Sequence, residues 1–428
     1  MTLRQAQAAG SPAPGARVIV IGAGLAGLSA ALRLAQAGRP VTLVTKGAGG
    51  LGLSQGTIDI LGYAPERVAR PLDAVASVAS EHPYASLGAD AVAASIAWLR
   101  DELGPELLVG DPAVNLHLPT AVGSIRPTAL AQPSMVAADV VGGRRYAVVG
   151  VRQLKDFQAD LIAGNLARST APDGGPVAAH PAWIDLPARP GEADPTGLTY
   201  ARAMDDESFA DRFADAVHAA AGECDVVVVP AVLGVRRLGV WRQVSERVGR
   251  PVAEIALQPP SVPGLRLDRA LLAQVKAAGV RVIQGAAAIG CRAEGGRVAS
   301  VTVAAAGGPR ELAASAVVYA PGGFESGALD VDSHGAIRER VFGLPLSASD
   351  AFALVGPDFW APHPLFAVGV LTDADGRPVA GAEPVLSNLY AAGGLLAGAE
   401  RWCEKSGDGI AVASAVRAAD AIIEGSAA

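Results

Sequence analysis

The feature that most constrains the fold is a strand, a glycine-rich turn and a helix near the start of the chain. Residues 18–21 form an apolar run, and the turn Gly22-Ala23-Gly24-Leu25-Ala26-Gly27 follows it. Apolar residues then recur at helical spacing as far as Gly38, and a second apolar run covers residues 41–44. This order predicts the first strand, helix and second strand of a dinucleotide-binding α/β fold.

The three glycines of this turn have different physical roles. Gly22 permits the tight turn, Gly24 lets the backbone approach a phosphate, and Gly27 lets the helix pack closely on the strand. The first turn of the helix adds free N–H groups and about half a positive charge. We therefore predict that a nucleotide or flavin phosphate is bound by Gly22, Ala23, Gly24, Leu25, Ala26 and Gly27.

The second strand lacks the acidic residue that usually grips an adenosine ribose at this position. The chain has Thr45 and Lys46 there. Three interpretations stay open. The cofactor has no adenosine ribose and is FMN, or Lys46 meets a phosphate, or the ribose is held by another contact near Thr45.

Three further segments favour a flavin over NAD. Residues 53–59 resemble the Ser…Ala-Gln-Gly-Gly-Ile loop of the fumarate reductase and L-aspartate oxidase flavoproteins, which runs along the flavin ring. Residues 319–323 resemble their Ala-Thr-Gly-Gly turn, and residues 388–394 their Leu-Tyr-Ala-Ala-Gly strand, whose following helix points at the ring carbonyl. The resemblance implies cofactor contacts at Ser54, Gln55, Gly56, Thr57, Gly322, Gly323, Gly393, Gly394, Gly409, Ile410 and Ala411.

The order of these motifs predicts a discontinuous nucleotide-binding domain. We expect an α/β two-dinucleotide-binding (Rossmann-like) flavoprotein fold with an inserted second α/β or α+β domain. Residues 1–16 are expected to be a disordered tail. The flavin-binding domain takes residues 17–65, 262–330 and 385–428, and the inserted substrate or cap domain takes 66–261 and 331–384. Residues 170–200, rich in Pro, Gly and Asp, are expected to be irregular, and Asp205, Asp206 and Glu207 to be a solvated helix start.

Composition excludes other classes of protein. The formal charge is −7 with no basic run, so the electrostatic footprint of a nucleic-acid binder is missing. The three cysteines are far apart in sequence and offer no zinc or iron–sulfur motif, so no metal site is expected. The apolar stretch 18–32 is shorter than the roughly 20 residues of a membrane span.

Over nearly its full length the chain resembles the B subunits of the anaerobic glycerol-3-phosphate dehydrogenases. The segments that carry this resemblance are the 22–27 turn, Thr45-Lys46-Gly47, residues 54–61, Glu81-His82-Pro83-Tyr84, Gly123-Ser124-Ile125-Arg126, Val149-Gly150-Val151, Asp156-Phe157-Gln158, Pro259-Pro260-Ser261 and residues 407–413.

The resemblance implies a cofactor, partners and a location. The flavin is expected to be FMN, with FAD as the alternative. The expected partners are an FAD-bearing catalytic subunit and an iron–sulfur subunit that anchors the complex to the membrane. The complex would oxidise sn-glycerol 3-phosphate to dihydroxyacetone phosphate and pass electrons to the quinone pool. The chain itself is expected to be cytoplasmic and peripheral on the membrane through these partners.

One segment departs from the family. The end of the family's flavin signature is glycine-rich, whereas this chain reads Ala399-Glu400-Arg401-Trp402-Cys403-Glu404-Lys405-Ser406. Charged residues therefore replace glycines near the predicted flavin.

Alcohol oxidation needs a base for the hydroxyl proton, and a phosphorylated substrate calls for arginine. We take His363 as the candidate base and Arg126 and Arg338 as candidate anion-binding residues.

Two other functions stay open. One is a stand-alone FAD oxidase or reductase of the aspartate oxidase and fumarate reductase class, which would act on a dicarboxylate. The other is a flavin-holding electron-relay or scaffold subunit that turns over no substrate. The sequence does not decide whether substrate is oxidised on this chain or on its partner.

Overall fold

The computed structural model describes residues 16–358 and 360–425. The predicted tail therefore lies, except for Ala16, outside the described residues. The strands are β1 (Arg17–Ile21), β2 (Val41–Thr45), β3 (Val109–Gly110), β4 (Leu116–Pro119), β5 (Ile125–Thr128), β6 (Leu130–Ala131), β7 (Arg145–Val151), β8 (Ala178–Ile184), β9 (Val226–Pro230), β10 (Val252–Ile255), β11 (Arg281–Gln284), β12 (Ala287–Glu294), β13 (Arg297–Ala305), β14 (Gly308–Tyr319), β15 (Leu329–Val331), β16 (Ile337–Glu339), β17 (Val379–Ala380), β18 (Glu383–Pro384) and β19 (Leu389–Ala391).

Helices and strands alternate mainly between β7 and β11. The helices are α1 (Leu25–Gln36), α2 (Pro71–Val75), α3 (Pro83–Leu87), α4 (Ala89–Leu103), α5 (Pro133–Val136), α6 (Ala159–Ala167), α7 (Gly197–Ala203), α8 (Glu207–Ala220), α9 (Val240–Val248), α10 (Val262–Ala277), α11 (Arg401–Glu404) and α12 (Gly407–Gly425). Within the described ranges, none of them is long and apolar enough to cross a membrane.

The larger sheet has a parallel part and an antiparallel part. β11, β2, β1, β14 and β19 pair in parallel in that order. β12, β13 and the first half of β14 form an antiparallel meander on the same sheet. Parallel strands are covered on both faces, which explains why β1 and β2 are almost fully buried. The mixed α/β architecture predicted from the sequence is confirmed.

A second sheet has its own core. β10, β9, β7 and β8 are all parallel, and apolar side chains of α6, α8 and α9 pack against them, among them Ile162, Phe213 and Val244. Helix α4 instead packs against α12, so its apolar face joins the core of the larger sheet. The exact boundaries of the two predicted domains stay a prediction.

The expectation of irregular structure over residues 170–200 is wrong in two places. β8 pairs in parallel with β7, and α7 begins after Thr196, whose hydroxyl accepts a hydrogen bond from the Thr199 N–H. β8 escapes detection because it is an edge strand of mostly half-exposed residues, with Pro181 in its middle. Proline lacks a ladder donor and is tolerated at an edge, where the strand also needs no apolar alternation.

The acidic residues at 205–207 divide their roles. Asp206 caps α8 by accepting from the Phe209 N–H at 3.0 Å, in agreement with the predicted helix start. Asp205 instead accepts backbone N–H groups of three successive residues, Val235, Arg236 and Arg237. It therefore fixes the loop that follows β9.

A buried ion pair joins helix α10, which packs into the core of the larger sheet, to the second sheet. Arg266 of α10 binds Glu254 of β10 through contacts of 2.6 and 3.0 Å, and the two side chains are 3% and 0% exposed. Arg266 also donates to the Gly234 carbonyl and to Gln132, while Glu254 accepts from the Leu233 N–H. Each charge is paired and hydrogen-bonded, which is the condition for tolerating burial.

Removing one member of this pair should destabilise the fold strongly. We expect Glu254→Ala to lower the free energy of unfolding by roughly 3–5 kcal/mol, because Arg266 stays buried without its counter-ion. The matched control is Glu106→Ala, which removes an exposed pair with Arg242 and should cost less than about 1 kcal/mol. Equal effects in urea unfolding would contradict this assignment.

Candidate functional site

The glycine loop (residues 22–27) has the geometry that its spacing predicts. Gly22 has a φ of +107°, and a Cβ there would lie 2.1 Å from the Ala320 carbonyl oxygen. A Cβ on Gly27 would lie 1.9 Å from the Gly22 carbonyl oxygen. By contrast, a Cβ on Gly24 would meet no atom within 4 Å. Two glycines therefore permit close packing, and the third faces open space.

That open space lies at the start of α1. Gly24 is the N-cap residue, has extended backbone and makes no side-chain capping hydrogen bond. The helix dipole makes this end electropositive, which suits a phosphate. After β2, the Thr45 hydroxyl donates to the Gly47 carbonyl, and Lys46 is exposed. The residues present therefore fit a phosphate group, but they provide no carboxylate at the end of β2.

The other two predicted glycine turns meet the glycine loop at the same edge of the sheet. β1, β14 and β19 are parallel, so the loops that follow them emerge together. A Cβ on Gly393 would lie 2.9 Å from the Ala26 Cβ, and one on Gly323 would lie 3.0 Å from the Gly394 carbonyl oxygen. The structure thus brings Gly322, Gly323, Gly393 and Gly394 beside the start of α1.

Arg401 contacts these turns; it belongs to segment 399–406, which departs from the family's sequence pattern. Arg401 donates to the Gly394 carbonyl at 2.6 Å, and its guanidinium is 3.7 Å from Glu325. Desolvation lowers the pKa of Arg401, although Glu325 opposes the shift. From the sequence, Arg401 is notable only as one of the charged residues of segment 399–406, and Glu325 is not distinguished at all.

Arg126 holds the 54–57 loop. Its guanidinium donates to Gln55 at 2.8 Å, to the Thr57 hydroxyl at 3.1 Å, and to Asp59 through a close salt bridge. Asp59 is buried and also accepts from Thr128 at 2.7 Å. Two of the predicted groups, the Ser54–Thr57 set and Arg126, are therefore in direct contact.

The start of α12 closes onto this loop. The Asp408 carboxylate accepts from the Asp59 N–H at 3.2 Å, and the Gly409 N–H donates to the Asp59 carbonyl at 2.8 Å. A Cβ on Gly409 would lie 2.1 Å from the Tyr84 hydroxyl oxygen. The N–H of Gly409, predicted to face the flavin, is thus used by the protein. Contacts of Ile410 and Ala411 with a flavin stay a prediction.

His82 and Tyr84 hold the segment before α12. The Nδ1 atom of His82 accepts from the Tyr84 N–H at 3.1 Å, which leaves Nε2–H to donate to Glu404 at 3.1 Å. The Tyr84 hydroxyl contacts the carbonyls of Ile60 at 2.6 Å and Ser406 at 3.2 Å. Sequence reasoning used these residues only as marks of the family. No sequence pattern links His82 to Glu404, because the two residues are 322 positions apart.

The ionisable groups around α12 are strongly perturbed. Desolvation and repulsion from Asp59 raise the pKa of Asp408 to about 7. Desolvation and the nearby Arg126 guanidinium lower the pKa of Lys405. Desolvation and the Asp408 carboxylate raise the pKa of Tyr84. Perturbed groups clustered at the edge of a parallel sheet are typical of a functional site.

The other two predicted catalytic residues lie elsewhere. The Arg338 side chain, on β16, is 68% exposed and forms a salt bridge with Asp332. The His363 backbone N–H lies 3.4 Å from a Glu400 oxygen, and its ring packs edge-on against Phe366. Among the described residues, Arg126 is the one of the three that contacts the 54–57 loop. Searched over the same ranges, His, Cys, Asp and Glu form no group of three or more that could hold a metal ion.

The fold and this site define a class of flavoprotein. The family described as the FAD binding domain matches residues 17–410, and the chain belongs to it. The chain is 11% identical to a flavocytochrome c3 fumarate reductase of known structure, with a TM-score of 0.43, and the match covers 96% of this chain and 78% of the other.

Two named relatives identify a narrower family within this class of flavoproteins. The chain is 32% identical over 418 residues to the B subunit of the probable anaerobic glycerol-3-phosphate dehydrogenase of Halobacterium salinarum, covering 95% of this chain and 97% of that protein. It is 29% identical over 422 residues to the corresponding B subunit of Pectobacterium atrosepticum, covering 95% and 98%. The chain belongs to the family of anaerobic glycerol-3-phosphate dehydrogenase B subunits.

The raised pKa of Asp408 predicts a distinctive pH dependence of stability. Between pH 4 and 7 the unfolded carboxyl loses its proton while the folded one keeps it, so stability falls as pH rises through this range. We expect Asp408→Asn to flatten this fall and to be more stable than the unaltered flavin-free protein at pH 8 by roughly 1–3 kcal/mol.

Urea unfolding of both flavin-free proteins at several pH values measures this difference. At pH 3 the two proteins should differ little, because Asp408 is then mostly protonated in both the folded and the unfolded state. Parallel curves from pH 4 to 8 would show that Asp408 ionises normally.

Proposed function

We propose that this chain is the flavin-holding subunit of a quinone-linked dehydrogenase that oxidises sn-glycerol 3-phosphate to dihydroxyacetone phosphate. The observation that carries the proposal is the open space at Gly24, where the loops after three parallel strands meet. The membership of the chain in this family supports it. A bound flavin supplies the capacity to accept two electrons from the alcohol carbon.

The residues of this chain would hold and orient that flavin. The start of α1 binds its phosphate, and the turns at Gly322–Gly323 and Gly393–Gly394 pack closely beside it because glycine brings no side chain. The 54–57 loop lines the ring, in a shape fixed by Arg126. Arg126 has donors beyond those used in the loop and is our candidate for binding the substrate phosphate.

We infer that the flavin is FMN. β2 ends in Thr45 and Lys46, and the Thr45 hydroxyl is already used by the Gly47 carbonyl. No carboxylate is present at this position to bind the two hydroxyls of an adenosine ribose. FMN lacks that ribose and requires no such residue.

The proposal includes partner subunits. The curated relatives are named as the B subunit of a dehydrogenase, and this chain has no cysteine motif for an iron–sulfur cluster. We therefore place electron transfer to quinone on an FAD-bearing subunit and an iron–sulfur subunit that holds the complex at the cytoplasmic face of the membrane.

The proposal is tested by purifying the chain alone and together with those subunits. Released cofactor is identified by chromatography after denaturation, and bleaching of the flavin is followed anaerobically with glycerol 3-phosphate or with a dicarboxylate couple. We expect FMN, and bleaching by glycerol 3-phosphate in the complex. Released FAD would overturn the FMN inference, and turnover of a dicarboxylate by the lone chain would indicate the stand-alone class. A chain that binds no flavin would overturn the whole proposal.

Two alanine substitutions separate flavin binding from folding. Gly24→Ala places its Cβ in open space at an ordinary φ of −78°, so we expect normal folding but at least about tenfold weaker flavin binding. Gly27→Ala drives its Cβ into the Gly22 carbonyl and should cost roughly 3 kcal/mol of stability. Flavin titration and thermal melting measure the two effects. If Gly24→Ala left the flavin affinity unchanged, the flavin phosphate would not bind at this loop.

A further inference from the structure

Lys405 has an unusual backbone conformation. Its φ and ψ are both 54°, in the left-handed region. Over residues 16–358 and 360–425 it is the one residue other than glycine with a positive φ. L-residues with a Cβ rarely adopt this conformation, whereas glycine adopts it freely. Glycine would therefore be the easier residue at position 405.

Neighbouring contacts impose this conformation. The Glu404 carbonyl accepts from the N–H groups of Gly62 at 2.8 Å and Tyr63 at 3.0 Å. The Glu404 carboxylate is held by His82 and Ser406. A residue kept in a strained conformation by its surroundings is a reason to look for a function of its side chain.

The Lys405 side chain lies in the charged centre of the site. Its Cβ packs against Gly62, where an added Cβ would lie 2.9 Å away. Arg126, Asp59 and Asp408 all act electrostatically on its half-buried ammonium, and Arg126 is a cation too. Asp59 is already bound to Arg126 and Thr128. The ammonium is therefore only partly neutralised by the protein.

A flavin bound as proposed above would lie against the same elements. The 54–57 loop and the start of α12 both contact Asp59, and Lys405 lies two residues before α12. A hydride from the substrate, which is two electrons and one proton, would leave the flavin ring with one negative charge. A partly neutralised cation nearby stabilises that charge more than it stabilises the neutral oxidised ring.

Resting on the proposed function, we propose that Lys405 acts on the bound flavin as an electrostatic group that favours the reduced cofactor, and that this role accounts for a lysine in a left-handed position. The reduced flavin should lose stabilisation when the charge is removed. Binding of the oxidised flavin should change little.

The experiment measures the flavin midpoint potential at pH 7 in four variants of the flavin-loaded chain. Lys405→Gln removes the charge, Lys405→Gly removes the charge and the strain, and Lys405→Arg keeps the charge. Lys155→Gln is the control, because Lys155 is 63% exposed and pairs with Asp194. Oxidised-flavin affinity and melting temperature are measured in parallel.

We expect the potential to fall by about 30–60 mV in Lys405→Gln and Lys405→Gly, which corresponds to a ten- to hundredfold loss of preference for the reduced flavin. Lys405→Arg and Lys155→Gln should keep the original potential. Lys405→Gly should also melt at a higher temperature than Lys405→Gln, since glycine relieves the backbone strain.

Three other results would contradict either this inference or the proposed function. An unchanged potential in Lys405→Gln overturns this inference while leaving flavin binding intact. Loss of oxidised flavin from Lys405→Gln at normal melting temperature also overturns it, because Lys405 would then hold the cofactor in both states. Failure of the unaltered chain to bind flavin would overturn the proposed function instead.

Discussion

The buried pair of Arg266 and Glu254 connects helix α10 to the second sheet. Through Gln132, the same pair is linked to the 54–57 loop of the candidate site. Gln132 accepts from Arg266 and donates to the carbonyls of Pro263 and Gly56. Gly56 has a φ of +72° and lies so close to Pro263 that any Cβ would collide with it. The 54–57 loop thus takes its position from the packing between the two cores. A buried charged pair adds little net stability, but it strongly penalises arrangements that leave either charge unpaired.

The parts of the fold that the sequence predicts are those determined by neighbouring residues. The glycine loop follows a strand and opens a helix within residues 17–36, and the role of Gly27 arises from the local crossing of β1 and α1. The close contact of Gly22 with Ala320 is not local, but the positive φ of the tight turn already requires glycine there. β8 is different, because it contains three alanines and a central proline, which have little strand propensity of their own. It becomes a strand because β7 offers it a partner.

The charged centre of the site was beyond sequence reasoning for a related reason. Asp59 and Arg126 are 67 residues apart, and Asp59 and Asp408 are 349 residues apart. Neither separation follows a helical or strand period. Arg126 was singled out as an anion-binding residue, yet its hydrogen bonds to Gln55 and Thr57 order the 54–57 loop. Segment 399–406 is visibly charged in the sequence. Its contacts with His82 and Tyr84, however, depend on how α3 packs against α12.

Glu404, in this segment, and Asp408, just after it, have pKa values that are shifted in opposite directions. Desolvation acts to raise the pKa of Glu404, but hydrogen bonds from His82 and Ser406 outweigh it and lower that pKa overall. Asp408 accepts one backbone N–H and faces a second carboxylate, so desolvation prevails and its pKa rises. Glu404 is therefore a fixed charge that anchors the chain, whereas the charge of Asp408 varies near neutral pH. The net charge beside Lys405 and the start of α12 consequently depends on one proton, and the protein places that proton where the 54–57 loop, α12 and Arg126 meet.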